Sequence, residues 1–138
     1  MIRIETTDYE SNKEPILSIR FQVFVDEQNV PAELEVDGRD PDCLHGLAWD
    51  DDKAVGTGRL LPDGHIGRVA VLQSYRKRGI GATLMKALIE AARERGFPEV
   101  VLSSQTRAMP FYDRLGFLRQ GEPYMEAGIE HIDMRLVL

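Results

Sequence analysis

The stretch Val69-Ala70-Val71-Leu72-Gln73-Ser74-Tyr75-Arg76-Lys77-Arg78-Gly79-Ile80-Gly81-Ala82 constrains the fold more than any other in this chain. An apolar, β-type run ends in a basic turn, and two glycines then open a helical pattern. Leu84, Leu88 and Ile89 keep one face apolar while Lys86, Glu90 and Arg93 lie outside. Gly96 and Pro98 mark the stop. The free N–H groups and dipole of such a helix start form an anion site. Glycine lets a diphosphate approach the backbone, and flanking Arg and Lys add charge. A Rossmann fingerprint fails because Leu84 stands where a third glycine is needed, and a Walker loop fails for want of Gly-Lys-Ser/Thr.

The rest of the chain narrows the setting. Its 138 residues fit one domain, 1–138, with its own core. No apolar run approaches the roughly 20 residues of a membrane span, and the alternating start Met1 to Thr6 lacks a signal-peptide core. Cys43 is the only cysteine, compatible with a reducing cytoplasm, and reads as a small buried residue. His45, His65 and His131 lack metal-ligand spacing, so no metal is expected. The net charge of -6 argues against nucleic acid. Residues 26–52 hold ten acidic side chains against Arg39, whereas residues 76–95 hold six basic against two acidic. In an acidic protein, cations concentrated at a glycine-opened helix start suit phosphates.

Periodicity predicts an edge strand over 1–7, a helix over 13–28 with Ile16, Ile19, Val23 and Phe24 inside, and an irregular connection from Pro31 to Asp42. Strands follow at 43–49, 53–61 and 65–72, the last pair turning at Asp63-Gly64. After the long helix come a strand around Val100-Val101-Leu102, a helix over 107–115, and strands at 117–120 and 131–138. The fold class is α/β (α+β), a mixed, mostly antiparallel sheet with helices packed on it.

Arg76-x-x-Gly79-x-Gly81 after a strand resembles the coenzyme A pyrophosphate loop of the GCN5-related N-acetyltransferases (GNAT). Gln105-x-x-Ala108-x-x-x-Tyr112-x-x-x-Gly116-Phe117 is similar to the family's second signature, with Gln105 where Asn is usual. Two motifs in the right order make the resemblance specific, and it covers essentially the whole chain. Arg20-x-x-Val23-Phe24-Val25-x-Glu27-Gln28-x-Val30-Pro31 and Gly121-Glu122-x-x-x-Glu126-x-Gly128-Ile129-x-His131-x-x-Met134 resemble its ElaA-like and YjcF-like branch.

The resemblance implies a splayed central sheet and transfer of an acetyl or short acyl group from acetyl-CoA to an amine, small or on a peptide or protein, by direct attack. Backbone groups of Val69, Ala70 and Val71 would hold pantetheine and polarise the carbonyl. Arg76, Lys77, Arg78, Gly79, Ile80, Gly81 and Ala82 would hold the pyrophosphate, with Gln105, Phe111 and Arg114 as further coenzyme contacts. Tyr112 matches the tyrosine that protonates the leaving sulfur. The base is open among His65, Glu126, His131 and Glu27. Arg20 and Glu27 share one face of an α-helix about two turns apart, so each is expected to pair with some other residue. The acidic N-terminal third suggests a cationic acceptor. A coenzyme-binding sensor without chemistry, or a scaffold without coenzyme, are the rival classes; a homodimer is left open.

Overall fold

The alternation of the strands and the helical spacing around them are realised almost where the sequence puts them. The computed structural model describes residues 1–138. Strand β1 (Ile2–Thr7) leads to helix α1 (Lys13–Arg20), which runs on as a π-helix over Phe21–Glu27. A short helix, α2 (Ala32–Glu35), interrupts the connection expected to be irregular. Then come β2 (Leu44–Asp50), β3 (Lys53–Leu60), β4 (Ile66–Val71), the long helix α3 (Ile80–Glu94), β5 (Glu99–Gln105), α4 (Met109–Arg114), β6 (Leu118–Glu126) and β7 (Ile129–Val137). The helix expected over 107–115 begins as a 3-10 turn over Thr106–Ala108, because Pro110 fixes the first turn of α4 only from Met109 onward. Strand β6 runs six residues past the expected Gln120; its Gly and Pro hide the alternation. No helix is long and apolar enough to cross a membrane.

Two antiparallel sheets, in the orders β1-β2-β3-β4 and β5-β7-β6, meet edge to edge. They touch where His65 forms a parallel bridge with Val101 and the Val101 N–H donates to Gly64 O at 3.1 Å. Beyond that point β4 and β5 part. The cause is an extra residue in β4: Thr57 pairs with Ala70 and Arg59 with Gly67, so three steps on one strand face two on the other. Arg68, inside that bulge, has φ of 52°, a left-handed conformation that bends the strand away from its neighbour.

Helix α3 packs across the join. Leu84 belongs to the core cluster with Ile16, Ile19, Val23, Leu47 and Val55. Leu88 and Ile89 belong to the cluster with Val100, Phe117, Ile132 and Met134. Glycines on β3 set the distance: a Cβ at Gly56 would lie 3.0 Å from Leu84 Cδ1, and one at Gly58 3.0 Å from Leu88 Cδ1. The helix ends as expected at Gly96 (φ 80°), where the Phe97 N–H donates to Ala92 O at 3.0 Å.

Candidate functional site

The divergence of β4 and β5 opens a cleft of about 850 Å³. Its walls are β4, β5, the end of the π-helix and the turn between β6 and β7. At one end stands the loop from β4 to α3. Lys77 and Gly79 both adopt left-handed φ, 65° and 78°, which coils the chain tightly into the helix. The first helical bond runs from Thr83 N–H to Gly79 O at 3.1 Å, so the N–H groups of Ile80, Gly81 and Ala82 have no helical acceptor. Lys77 and Arg78 are exposed beside them. A Cβ on Gly81 would meet the Phe111 ring at 3.4 Å, so Phe111 roofs the helix start. The chemistry of these groups fits a diphosphate: free N–H donors and a helix dipole, with two exposed cations in the turn that leads into them.

The register of β4 separates its three expected coenzyme residues. Leu72 N–H donates to Val55 O at 2.9 Å, which places Ala70, opposite Thr57, in the same hydrogen-bonded class. Ala70 therefore turns its backbone toward β3. Val71, between them, turns its N–H and C=O toward the cleft. Arg76 uses that carbonyl, donating from Nε to Val71 O at 2.9 Å, and it grips Glu27 with both terminal nitrogens, at 2.6 and 2.7 Å. Those hydrogen bonds pull the Glu27 carboxyl below its ordinary value and raise Arg76 above its own. Arg76 thus faces Glu27 rather than the amides of α3.

Tyr112 is half-buried between Phe111 (centroids 5.0 Å, edge-on) and Phe117 (5.9 Å) and lines the cleft. Burial alone pushes its phenol up to about 12, so it stays protonated and keeps a hydrogen to donate. His131 is buried on β7, with ring Nδ1 2.7 Å from Ile129 O. A carbonyl only accepts, so Nδ1 carries a hydrogen, and in the neutral ring Nε2 holds the lone pair. Glu126 Oε2 lies 3.7 Å from that Nε2 across the β6–β7 turn. His65 sits at the narrow end of the cleft, more than half exposed and 3.0 Å from Asp63 Oδ1. The Gln105 amide donates to Gln28 Oε1 at 2.7 Å and accepts from Arg107 Nε at 3.0 Å. Arg114 is exposed on the last turn of α4. The structure therefore gathers Tyr112, Glu126, His131, His65 and Glu27 around one cleft.

Sequence reasoning misses the charges behind its wall. Arg20 is fully buried, donating to Glu35 Oε2 and Asp40 Oδ1, each at 2.7 Å. Arg59 donates to Asp37 Oδ1 at 3.0 Å and to Asp40 Oδ1 at 2.9 Å, and Arg68 Nε lies 3.0 Å from Glu35 Oε2. Hydrogen bonds from Arg59 hold the Asp37 carboxyl well below the usual carboxylate range. Burial pushes Asp40 up, but Arg20 and Arg59 outweigh it and the net direction is down. Glu35, Asp37 and Asp40 are thus internally neutralised, and Glu27 is held by Arg76. Of the seven acidic residues from Asp26 to Asp42, four are neutralised in this way and Asp26, Glu33 and Asp42 stay exposed without a cation, so the acidic field expected of this third is much reduced and the argument for a cationic acceptor is weaker with it. Sequence reasoning also gives Arg107 and Gln28 no role of their own; an exposed Arg in a short 3-10 turn and a half-buried Gln capping the π-helix carry no periodic signal.

The family model described as an acetyltransferase (GNAT) domain matches residues 5–138. YjcF of Bacillus subtilis, described as an uncharacterized N-acetyltransferase, is 42% identical over 120 residues, covering 84% of this chain and 86% of that protein. ElaA of Escherichia coli is 36% identical over 129 residues, covering 86% and 83%. The crystal structure of an acyl-CoA N-acyltransferase from Pseudomonas aeruginosa superposes with a TM-score of 0.88 at 33% identity, covering 98% of this chain and 99% of that one. The fold that splays β4 from β5 is therefore shared architecture, and the chain belongs to the GNAT acetyltransferase family, whose reaction is acyl transfer from coenzyme A.

Proposed function

We propose that this protein is an acetyl-CoA-dependent N-acetyltransferase that works by direct attack, with Tyr112 as acid and His131 as base. The observation that carries this is the placement of a protonated phenol and an imidazole lone pair on the same cleft, beside the free backbone edge of β4. The thioester supplies an electrophilic acyl carbon and a thiolate leaving group. The N–H groups of Ile80, Gly81 and Ala82, with Lys77 and Arg78, would hold the diphosphate, and the Val71 backbone would hold the pantetheine arm.

An alkylammonium with pKa near 10.4 is neutral in only about one molecule in a thousand at pH 7, so a proton acceptor is useful. His131 Nε2 takes one proton from the ammonium before attack, which frees the nitrogen lone pair; the second proton, shed once nitrogen has bonded to the acyl carbon, passes through solvent to the departing thiolate. Glu126, 3.7 Å away, stabilises the imidazolium that results. As the carbon–sulfur bond breaks, Tyr112 donates to the departing sulfur. Its high pKa makes full transfer uphill to a thiolate near 8.5, so its contribution is a hydrogen bond to growing charge, at the modest end of acid catalysis.

The test is thiol release with acetyl-CoA and a panel of amines. His131→Gln is expected to lower kcat about 10²-fold or more and leave acetyl-CoA affinity, measured by calorimetry, unchanged. Full turnover in that variant would assign proton removal to water.

A further inference from the structure

Five arginines line the cleft, against Glu27, Glu35 and Glu126. Four of the arginines are engaged: Arg76 with Glu27, Arg68 with Glu35, Arg59 with Asp37 and Asp40, and Arg39 with Asp63 at 3.8 Å. Arg107 differs. Its Nε donates to Gln105 Oε1 at 3.0 Å, and Gln105 is in turn tied to Gln28 at 2.7 Å. That chain of three side chains fixes the plane of the guanidinium and leaves both terminal nitrogens without a protein partner. An arginine held by Nε with its fork free is arranged to meet a carboxylate with two parallel hydrogen bonds.

Its position relates it to the proton acceptor. Gln105, which holds Arg107, is the cross-strand partner of His131. The free fork and the His131 lone pair therefore belong to the same end of the β5–β7 ladder, and both line the cleft. The field of Arg107 also reaches Glu27 across the opening.

From this geometry we infer that the acceptor is a small amino carboxylate, its amine at His131 and Glu126 and its carboxylate on the fork of Arg107. The inference rests on the acyl-transfer reading above and specifies its substrate class. A simple cationic amine would leave the fork unpaired and place one more positive charge beside it.

The experiment compares free amino acids with their carboxamides and their decarboxylated amines, using thiol release from acetyl-CoA, in the native protein and in Arg107→Gln. Expected in the native protein is a preference of about tenfold or more in kcat/KM for the carboxylate form, the usual scale of a charge-assisted contact. Arg107→Gln is expected to remove that preference by raising the KM of the amino acid, with the amide and acetyl-CoA constants unchanged. Calorimetric titration of amino acids into the protein saturated with coenzyme A reads the same contact without turnover. Binding lost in Arg107→Gln supports the carboxylate site even if no amine is acylated, a result that would sink only the catalytic reading. Preference for the amide or decarboxylated amine, a raised KM for acetyl-CoA in Arg107→Gln, or no binding of any amino acid to the coenzyme complex overturns the proposal.

Discussion

The charges behind the cleft and the charges on it make an instructive pair. In the wall and behind it, Arg20, Arg59 and Arg68 face Glu35, Asp37 and Asp40, all from segments that tertiary packing brings together. Toward the open face of the cleft, Glu27 pairs with Arg76, while the terminal nitrogens of Arg107 and the facing side chains of Glu126 and His131 are left available. The first group fixes where the connection from the π-helix to β2 runs against β4. The second can exchange partners. Even the buried group is imperfect, since Asp40 Oδ2, Arg59 Nε and Arg68 Nε, and Nδ1 of His45, whose Nε2 lies 3.0 Å from Asp40 O, have no hydrogen-bond partner. Buried ion pairs hold a conformation more surely than they stabilise it.

That contrast breaks most visibly at Arg20. Arg20→Ala strands Glu35 and Asp40 without their main cation, and a loss of about 3–5 kcal/mol is expected in denaturant unfolding. A loss below about 1 kcal/mol would make the buried group no different from a surface pair. Tyr112→Phe keeps the ring and removes only the donor. A fall in kcat of about 10²-fold is expected, near 2.7 kcal/mol, with coenzyme affinity by calorimetry unchanged. Full activity would take the phenol out of the mechanism.

Gly81→Asp puts a carboxylate beside the free amides of α3 and under Phe111. Coenzyme A affinity is expected to fall more than about tenfold, or 1.4 kcal/mol, in a variant whose melting is otherwise normal. Unchanged affinity would move the diphosphate elsewhere. Glu27→Gln gives the smallest effect. It cuts a half-exposed pair, so about 1 kcal/mol or less of stability is at stake, and less at high salt. The pH dependence sharpens the same comparison. Asp37, Asp40 and Glu27 all have folded values lowered below their ordinary ones. Their stabilisation is full above the unfolded carboxylate range near 4 and is lost as pH falls through the folded values. Acid unfolding should therefore be milder in Asp37→Asn, whose largest proton-linked term is gone, than in the native chain. Identical acid limbs would assign that term to other groups.

The helix start at Gly79 to Ala82 was legible because everything it needs is local: a strand, two glycines and an amphipathic run in one stretch. The same holds for the strands of the first sheet and the stop at Gly96. The placement of Tyr112 followed from a motif rather than from physics, since a lone tyrosine has no pattern. What stayed hidden depends on partners far along the chain. Arg20 and Glu27 share a face on an ideal α-helix, yet the π-helix from Phe21 winds more residues into each turn and rotates Glu27 off that face. Arg20 thereby enters the buried group while Glu27 reaches the cleft and Arg76. Counting acidic residues in the N-terminal third could not reveal that arginines from α1, β3 and β4 would meet them.

Gly56 and Gly58 carry a consequence that reaches beyond packing. Because bare backbone at these two positions sets the seat of Leu84 and Leu88, α3 acts as a lever resting on β3, with the free amides of its first turn at the far end. A methyl group at the fulcrum would tilt the helix and move the amides of Ile80, Gly81 and Ala82 together. Displacements of about 1 Å at a positioned group can cost about 10²-fold in rate. Damage done in the middle of the sheet would then be felt first as a weakened grip on coenzyme A, many side chains away from the lesion.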